Sequence, residues 1–102
     1  MRIYISGKIT GNKNYLEQFK IAENWLRDNN YIPINPAEAF NPSLEKYLTY
    51  DELMQLDIEL LKMADGILML YGWQNSKGAI YEHLTAQLLN KKILYQVCLY
   101  NN

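Results

Sequence analysis

The run Ile67-Leu68-Met69-Leu70-Tyr71, closed off by Asp65-Gly66 before it and Gly72 after it, constrains this chain more than any other stretch. An uninterrupted apolar segment of that length reads as a strand covered on both faces, because a strand with one wet face alternates apolar and polar side chains. Covering both faces takes helices, and the flanking sequence supplies them. Residues 2–6 are short, β-rich and halted by Gly7, a first strand. Over 15–29, Leu16, Phe19, Ala22 and Leu26 recur at the period of an amphipathic helix, with Asn14 placed to cap it. Tyr31-Ile32-Pro33-Ile34 reads as a second strand, at an edge or a strand end because proline cannot donate to a ladder, and Asn35-Pro36 opens a loop reaching about Leu48. Thr49-Tyr50-Asp51-Glu52 has the spacing of a capping box and starts a helix that runs to Met63. After the apolar strand come a loop over 72–76, a helix over 77–90 and a last strand over 93–97.

The resulting order, β-α-β-α-β-α-β, predicts an α/β fold. It is a Rossmann-like or flavodoxin-like parallel sheet of four to five strands, flanked by helices, with 1–102 as a single domain. Such sheets bind ligands beyond the carboxyl ends of their strands, so a site belongs in the loops after Ser6, Ile34 and Tyr71.

Composition narrows the ligand. Hydrophobic residues at 49% exclude a disordered chain. Ten Lys and Arg against eleven Asp and Glu, with no basic block, exclude a broad footprint for a nucleic-acid polymer and leave a small molecule as the expected partner. The single cysteine, Cys98, cannot form an internal disulfide and has no Cys or His cluster near it, so neither a metal nor another cofactor is expected and a reducing cytoplasm fits. No apolar run is long enough for a bilayer, and Met1-Arg2-Ile3 enters the first strand directly, so neither a membrane anchor nor an export leader is expected.

Two acids stand out. Asp57 falls inside the stripe of Leu53, Leu60, Leu61 and Ala64, on the face that should meet the sheet. A carboxylate there needs donors or a raised pKa; it reads either as a helix-face Asp bonded to a loop amide or as a working acid. Glu82 lies one turn after Ala79 and one before Ala86, so small side chains leave room for a ligand beside it. It also sits near a helix start, where the macrodipole favours the ionised form; a solvated first-turn glutamate is the plainer reading. Ser76-Lys77-Gly78 joins the buried strand to that helix, with Ser76 a candidate N-cap and Gly78 leaving the first-turn amides open to an anion such as phosphate. Ser6-Gly7-Lys8-Ile9-Thr10-Gly11 is a Gly-flanked loop that matches neither a Walker A sequence nor G-x-G-x-x-G. Tyr4 reads as a core aromatic, and His83 as a packing or surface residue. Nine tyrosines and two tryptophans suggest a dimer interface or a base-stacking pocket.

Together, Tyr4-Ile5-Ser6-Gly7-Lys8-Ile9-Thr10-Gly11, Asp57 with Asp65-Gly66, and Gly72-Trp73-Gln74-Asn75-Ser76-Lys77-Gly78-Ala79-Ile80-Tyr81-Glu82 resemble the nucleoside 2-deoxyribosyltransferase-like superfamily. That superfamily includes the 2'-deoxynucleoside 5'-monophosphate N-glycosidases, and the likeness is nearest to a small bacterial and phage branch. The resemblance implies that Glu82 is a nucleophile attacking the anomeric carbon to form a glycosyl-enzyme ester, which water or an acceptor base resolves. It implies that Asp57 helps protonate the departing base, that Tyr4 orients the nucleophile, and that Ser76 and Gly78 bind a 5' phosphate. Ser6, Gly7, Ile9 and Gly11 would belong to the loop beside the ligand, and Asp65 would be structural. The expected activity is a nucleoside or nucleotide N-glycosidase or deoxyribosyltransferase, in a homodimer; the alternative is a nucleotide-binding module without turnover. The Asp57 and Glu82 carboxylates are expected to converge on one cleft, with Ser76 and Gly78 on its rim.

Overall fold

The computed structural model describes residues 1–39 and 46–96. Its elements are β1 (Arg2–Ser6), α1 (Tyr15–Asp28), β2 (Ile32–Ile34), α2 (Pro36–Ala39), α3 (Tyr50–Met63), β3 (Gly66–Met69), a 3-10 turn (Trp73–Asn75), α4 (Lys77–Leu88) and β4 (Lys92–Tyr95). All strand pairs are parallel and the order is β2-β1-β3-β4, an α/β sheet of four strands flanked by helices. Pro33 is therefore in an edge strand, as its missing amide proton requires.

Alternation along β1 and β3 divides the core between the two faces. Ile3, Ile5, Leu68 and Leu70 meet Phe19, Ala22 and Leu26 of α1, while Tyr4, Ile67 and Met69 meet Leu61, Ala64, Ala79 and Ala86. This two-sided burial is why the sequence between Gly66 and Leu70 carries no polar residue. Chain order reverses between β1 and β3, which sets a crevice at their carboxyl ends. Among the described residues, no helix is long and apolar enough to cross a membrane.

Gly66 marks the closest strand approach. A Cβ there would lie 2.8 Å from the Lys92 carbonyl oxygen and 2.9 Å from Ile3 Cδ1. Because backbone on one side cannot give way, Gly66→Ala is expected to destabilise the domain by about 2 kcal/mol. An unchanged denaturation midpoint would contradict that packing.

Local details correct several expectations. Asn14 occupies the N-cap position of α1 but makes no side-chain cap bond; its own amide donates to Asn12 Oδ1 at 3.1 Å. Leu16 is exposed because Tyr15 takes the inward place in the first turn, edge-on to Phe19. The loop after β2 contains α2, whose start is capped by Asn35: its Oδ1 accepts from the Ala37 amide at 3.0 Å. The buried Glu23 is held there by Lys20 at 2.9 Å and by Asn35 Nδ2 at 3.4 Å, and the Lys20 ammonium keeps its carboxyl below the usual range. Tyr71 has left the strand and is exposed, and α4 ends before 90. The Thr49 capping box is present in full. Residues 40–45 of the expected loop, Val97 of the expected last strand, and Cys98 lie outside the described residues.

Candidate active site

The site begins with the way α4 lies on the sheet. Ser76 caps the helix, its Oγ accepting from the Ala79 amide at 3.2 Å. Ala79 and Ala86, one turn either side of Glu82, are both buried and let the helix approach β1 and β3 closely. Glu82 is thereby carried inside, 5% exposed. On β1, Tyr4 and Ser6 point to the same face because strand side chains alternate, and both hydroxyls lie beneath the helix. Tyr4 Oη donates to Glu82 Oε2, and Ser6 Oγ donates to Glu82 Oε1 at 2.8 Å. Each carboxylate oxygen thus has its own donor, which fixes the plane and direction of the group.

The electrostatics differ from the sequence expectation. Glu82 lies in the second turn of α4 and not at a solvated start, so burial outweighs any help from the helix dipole. Its pKa is raised from 4.5 to about 7: desolvation drives the rise, the Tyr4 hydrogen bond opposes it, the negative charge of Asp57 adds to it, and the Ser6 bond opposes it. Burial, followed by the charges of Glu82 and Asp57, holds the Tyr4 phenol well above its ordinary value, so it remains a proton donor to the carboxylate.

Glu82 opens onto a cleft of about 220 Å³ beyond the carboxyl ends of the strands. Gly7, Ile9 and Thr10 line it from the loop after β1, Pro36 and Ala37 from α2, and Leu53, Met54 and Asp57 from α3. Ser76, Gly78 and Ala79 complete the α4 side, with Tyr15 and Tyr50 adding aromatic walls. The loop is held in place by Asn12, whose Nδ2 donates to the Lys8 carbonyl and to Gln18 Oε1, both at 2.9 Å.

The structure therefore brings Asp57, Glu82, Ser76, Gly78, Gly7 and Ile9 to one cleft, with Tyr4 and Ser6 behind the carboxylate. Gly11 is not among the residues lining it. At φ 78° it serves the turn before α1, a backbone reason for glycine that needs no ligand. Asp57 is half-buried, not in the core: of the stripe it shares, only Leu61 and Ala64 are fully buried, because the earlier turns of α3 overhang the cleft. Gly78 also has a packing reason, since a Cβ would lie 3.2 Å from both Met54 Sδ and Tyr50 Oη.

Tyr50, Leu53 and Met54 were not foreseen as lining residues. Extending the Asp57 face backwards by one and two helical turns would have found them. His83 is turned elsewhere, stacked on Trp73 at 4.4 Å with Nε2 2.7 Å from Tyr95 Oη. Asp65 lies at the opposite end of the sheet, accepting from the Arg2 amide at 2.7 Å. A larger groove of about 950 Å³ runs along the outer sides of α3 and α4, past Gln55, Lys62 and Tyr81; Asp57 and Glu82 line the smaller cleft and not this groove.

Comparison with known proteins places this architecture. The chain superimposes on a 2-deoxyribosyltransferase from the psychrotolerant bacterium Bacillus psychrosaccharolyticus with a TM-score of 0.75 and 21% identity, covering 98% of this chain and 78% of that one. A 2-deoxyribosyltransferase from Leishmania mexicana gives a TM-score of 0.68 and 18% identity, covering 92% of this chain and 62% of that one. At these identities the likeness establishes the fold, which is nucleoside 2-deoxyribosyltransferase-like. No curated protein matches the sequence. One family model, that of a domain of unknown function, DUF4406, matches residues 1–95.

Proposed function

We propose that this chain, which belongs to the DUF4406 family of domains of unknown function, is an N-glycosidase or deoxyribosyltransferase acting on a nucleoside or nucleoside 5'-monophosphate. The observation that carries the reading is the buried Glu82 carboxylate, held by the Tyr4 and Ser6 hydroxyls and opening onto a cleft that it shares with Asp57. The fold it has in common with two 2-deoxyribosyltransferases supports the same reading.

In this proposal a Glu82 oxygen attacks the anomeric carbon as the bond to the base breaks, through an oxocarbenium-like transition state. Asp57 protonates the leaving base. Water or an acceptor base then displaces the carboxylate from the glycosyl ester. Tyr4 and Ser6 hold the nucleophile in line, while Gly7 and Ile9 border the ligand and Ser76 and Gly78 offer α4 amides to a 5' substituent. The whole of 1–102 acts as one such domain. A homodimer belongs to the reading, supported by Ile80, Leu84 and Leu88, which recur at helical spacing and are exposed along α4.

The experiment is a panel of deoxynucleosides and their monophosphates, assayed for free base with wild type and a Glu82 variant. Release that depends on Glu82 supports the enzyme. Tight binding with no release by either protein makes the chain a binding module instead.

Tyr4 gives a further test. A nucleophile must be ionised, so activity is expected to rise with pH through about 7, the value to which Glu82 is pushed. Tyr4→Phe removes a bond that lowers that value, so the acid limb of the profile should move upward and the rate near neutrality fall by about tenfold. An acid limb that stays in place would remove Tyr4 from the machinery.

A further inference from the structure

One position on α1 breaks the pattern that the rest of the helix follows. Phe19, Ala22 and Leu26 are buried against the sheet, and position 23 completes the same inward face, yet it carries a glutamate that is only 7% exposed. Hydrocarbon there would serve packing as well, because replacing a buried ion pair by apolar side chains is often neutral or stabilising. The carboxylate therefore needs a reason other than stability.

Its partners supply one. Glu23 Oε2 accepts from Lys20 Nζ at 2.9 Å, with Arg27 Nε at 3.8 Å, which leaves Oε1 to accept from Asn35 Nδ2 at 3.4 Å. A carboxylate can only accept, so it holds the nitrogen of the buried Asn35 amide toward itself and the oxygen toward α2, where that oxygen accepts from the Ala37 amide at 3.0 Å. Lys20 ties α2 from a second side, its Nζ 3.9 Å from Glu38 Oε1. With only the four residues Pro36–Ala39, α2 is far too short to persist without such ties. Its Pro36 and Ala37 form one wall of the cleft onto which Glu82 opens.

Resting on the N-glycosidase reading of that cleft, we propose that Glu23 is a positioning residue: through Asn35 it sets α2 in place as the cleft wall and so governs the affinity for the nucleoside or nucleotide substrate. Neither Glu23 nor Asn35 lines the cleft, so both act on the ligand only through Pro36 and Ala37. Those two residues carry no reacting group. Misplacing them removes contacts made equally in the ground and transition states, and the loss falls on KM and not on kcat.

The test breaks the contact and rebuilds it with its direction reversed. Asn35→Asp keeps an oxygen to cap the Ala37 amide but sets a second carboxylate against Glu23. Adding Glu23→Gln restores the bond: the introduced glutamine accepts from Lys20 and donates to the introduced aspartate, at the wild-type net charge. The substrate is whichever of 2'-deoxyadenosine, 2'-deoxyinosine, 2'-deoxycytidine, thymidine and their 5'-monophosphates the wild type cleaves fastest. Asn35→Asp is expected to raise KM about tenfold with kcat held within about twofold, and the double variant to bring KM back to within about twofold of wild type. A role confined to stability gives the opposite split, a kcat lowered in proportion to the folded fraction at unchanged KM. That split, or a double variant whose KM is not below that of Asn35→Asp, overturns the proposal.

Hydrogen exchange at the Ala37 amide, followed by NMR, needs no substrate and separates the two claims. Asn35→Asp should speed that exchange about tenfold, and the double variant should restore it. Glu82-dependent base release with no recovery of KM in the double variant sinks the positioning role alone. Should the wild type release base from none of these compounds, the enzyme reading falls and the exchange decides the rest: restored protection upholds the placement of α2 by Glu23, and unrestored protection overturns it.

Discussion

Base release by the Glu82→Gln variant is expected to fall by about 10³-fold or more, the scale seen when a nucleophile is removed and the rest of the site remains. Glutamine preserves the shape of the side chain and one carbonyl oxygen to accept from Tyr4. Its amide faces Ser6 Oγ, which can accept in place of donating. The fold should therefore survive, and circular dichroism of the variant should match wild type. The chemistry should not survive, because an amide does not form the glycosyl ester. Wild-type activity retained to within about tenfold would reassign the nucleophile.

Raising the pH from 5 to 8 is expected to cost the folded domain about 3 kcal/mol through Glu82 alone. The unfolded carboxyl titrates near 4.5 and the folded one near 7. Below 4.5 both states carry the proton and stability is unaffected. Between the two values the folded state keeps a proton that the unfolded chain has released, so stability falls by about 1.4 kcal/mol per pH unit; above 7 the loss is complete and the curve flattens. Glu23, Glu52 and Asp65 are shifted downward, so their contributions change below the usual carboxylate range. Denaturant titrations at several pH values, run in parallel on Glu82→Gln, isolate the effect. A wild-type curve parallel to the variant's across that window would mean that Glu82 is not buried as an acid.

The architecture was largely legible because its signals are local. An unbroken apolar stretch fixes a strand covered on both faces, and the Thr49 box and Ser76 cap fix helix starts through bonds within a single turn. What escaped was set by distant partners. Asn14 carries a suitable capping side chain, yet Asn12 supplies the local acceptor; Leu16 keeps the helical period, yet Tyr15 wins the inward place. For Glu82, the flanking alanines pointed to room beside the carboxylate, but the same small residues bring the helix down onto the sheet and remove water. A helix dipole acts within one turn, whereas burial depends on the whole fold, and burial sets the direction of the Glu82 pKa shift. The Ser6 contact depends on how β1 registers beneath α4, which no short window of sequence contains. Gly11 carries a backbone constraint apart from any ligand: its left-handed φ of 78° favours glycine at that turn.

Tyr4 and Glu82 are 78 positions apart, and Ser6 and Glu82 are 76 apart. During synthesis the hydroxyls emerge from the ribosome first and the carboxylate long afterwards, so on the proposed reading a nascent chain would carry half of the centre until α4 docks. Truncated or partly folded species inherit donors without an acceptor, or an acceptor without donors. Under the proposed function, turnover would consequently report the completion of folding itself, and unfinished copies would have no cleavage activity.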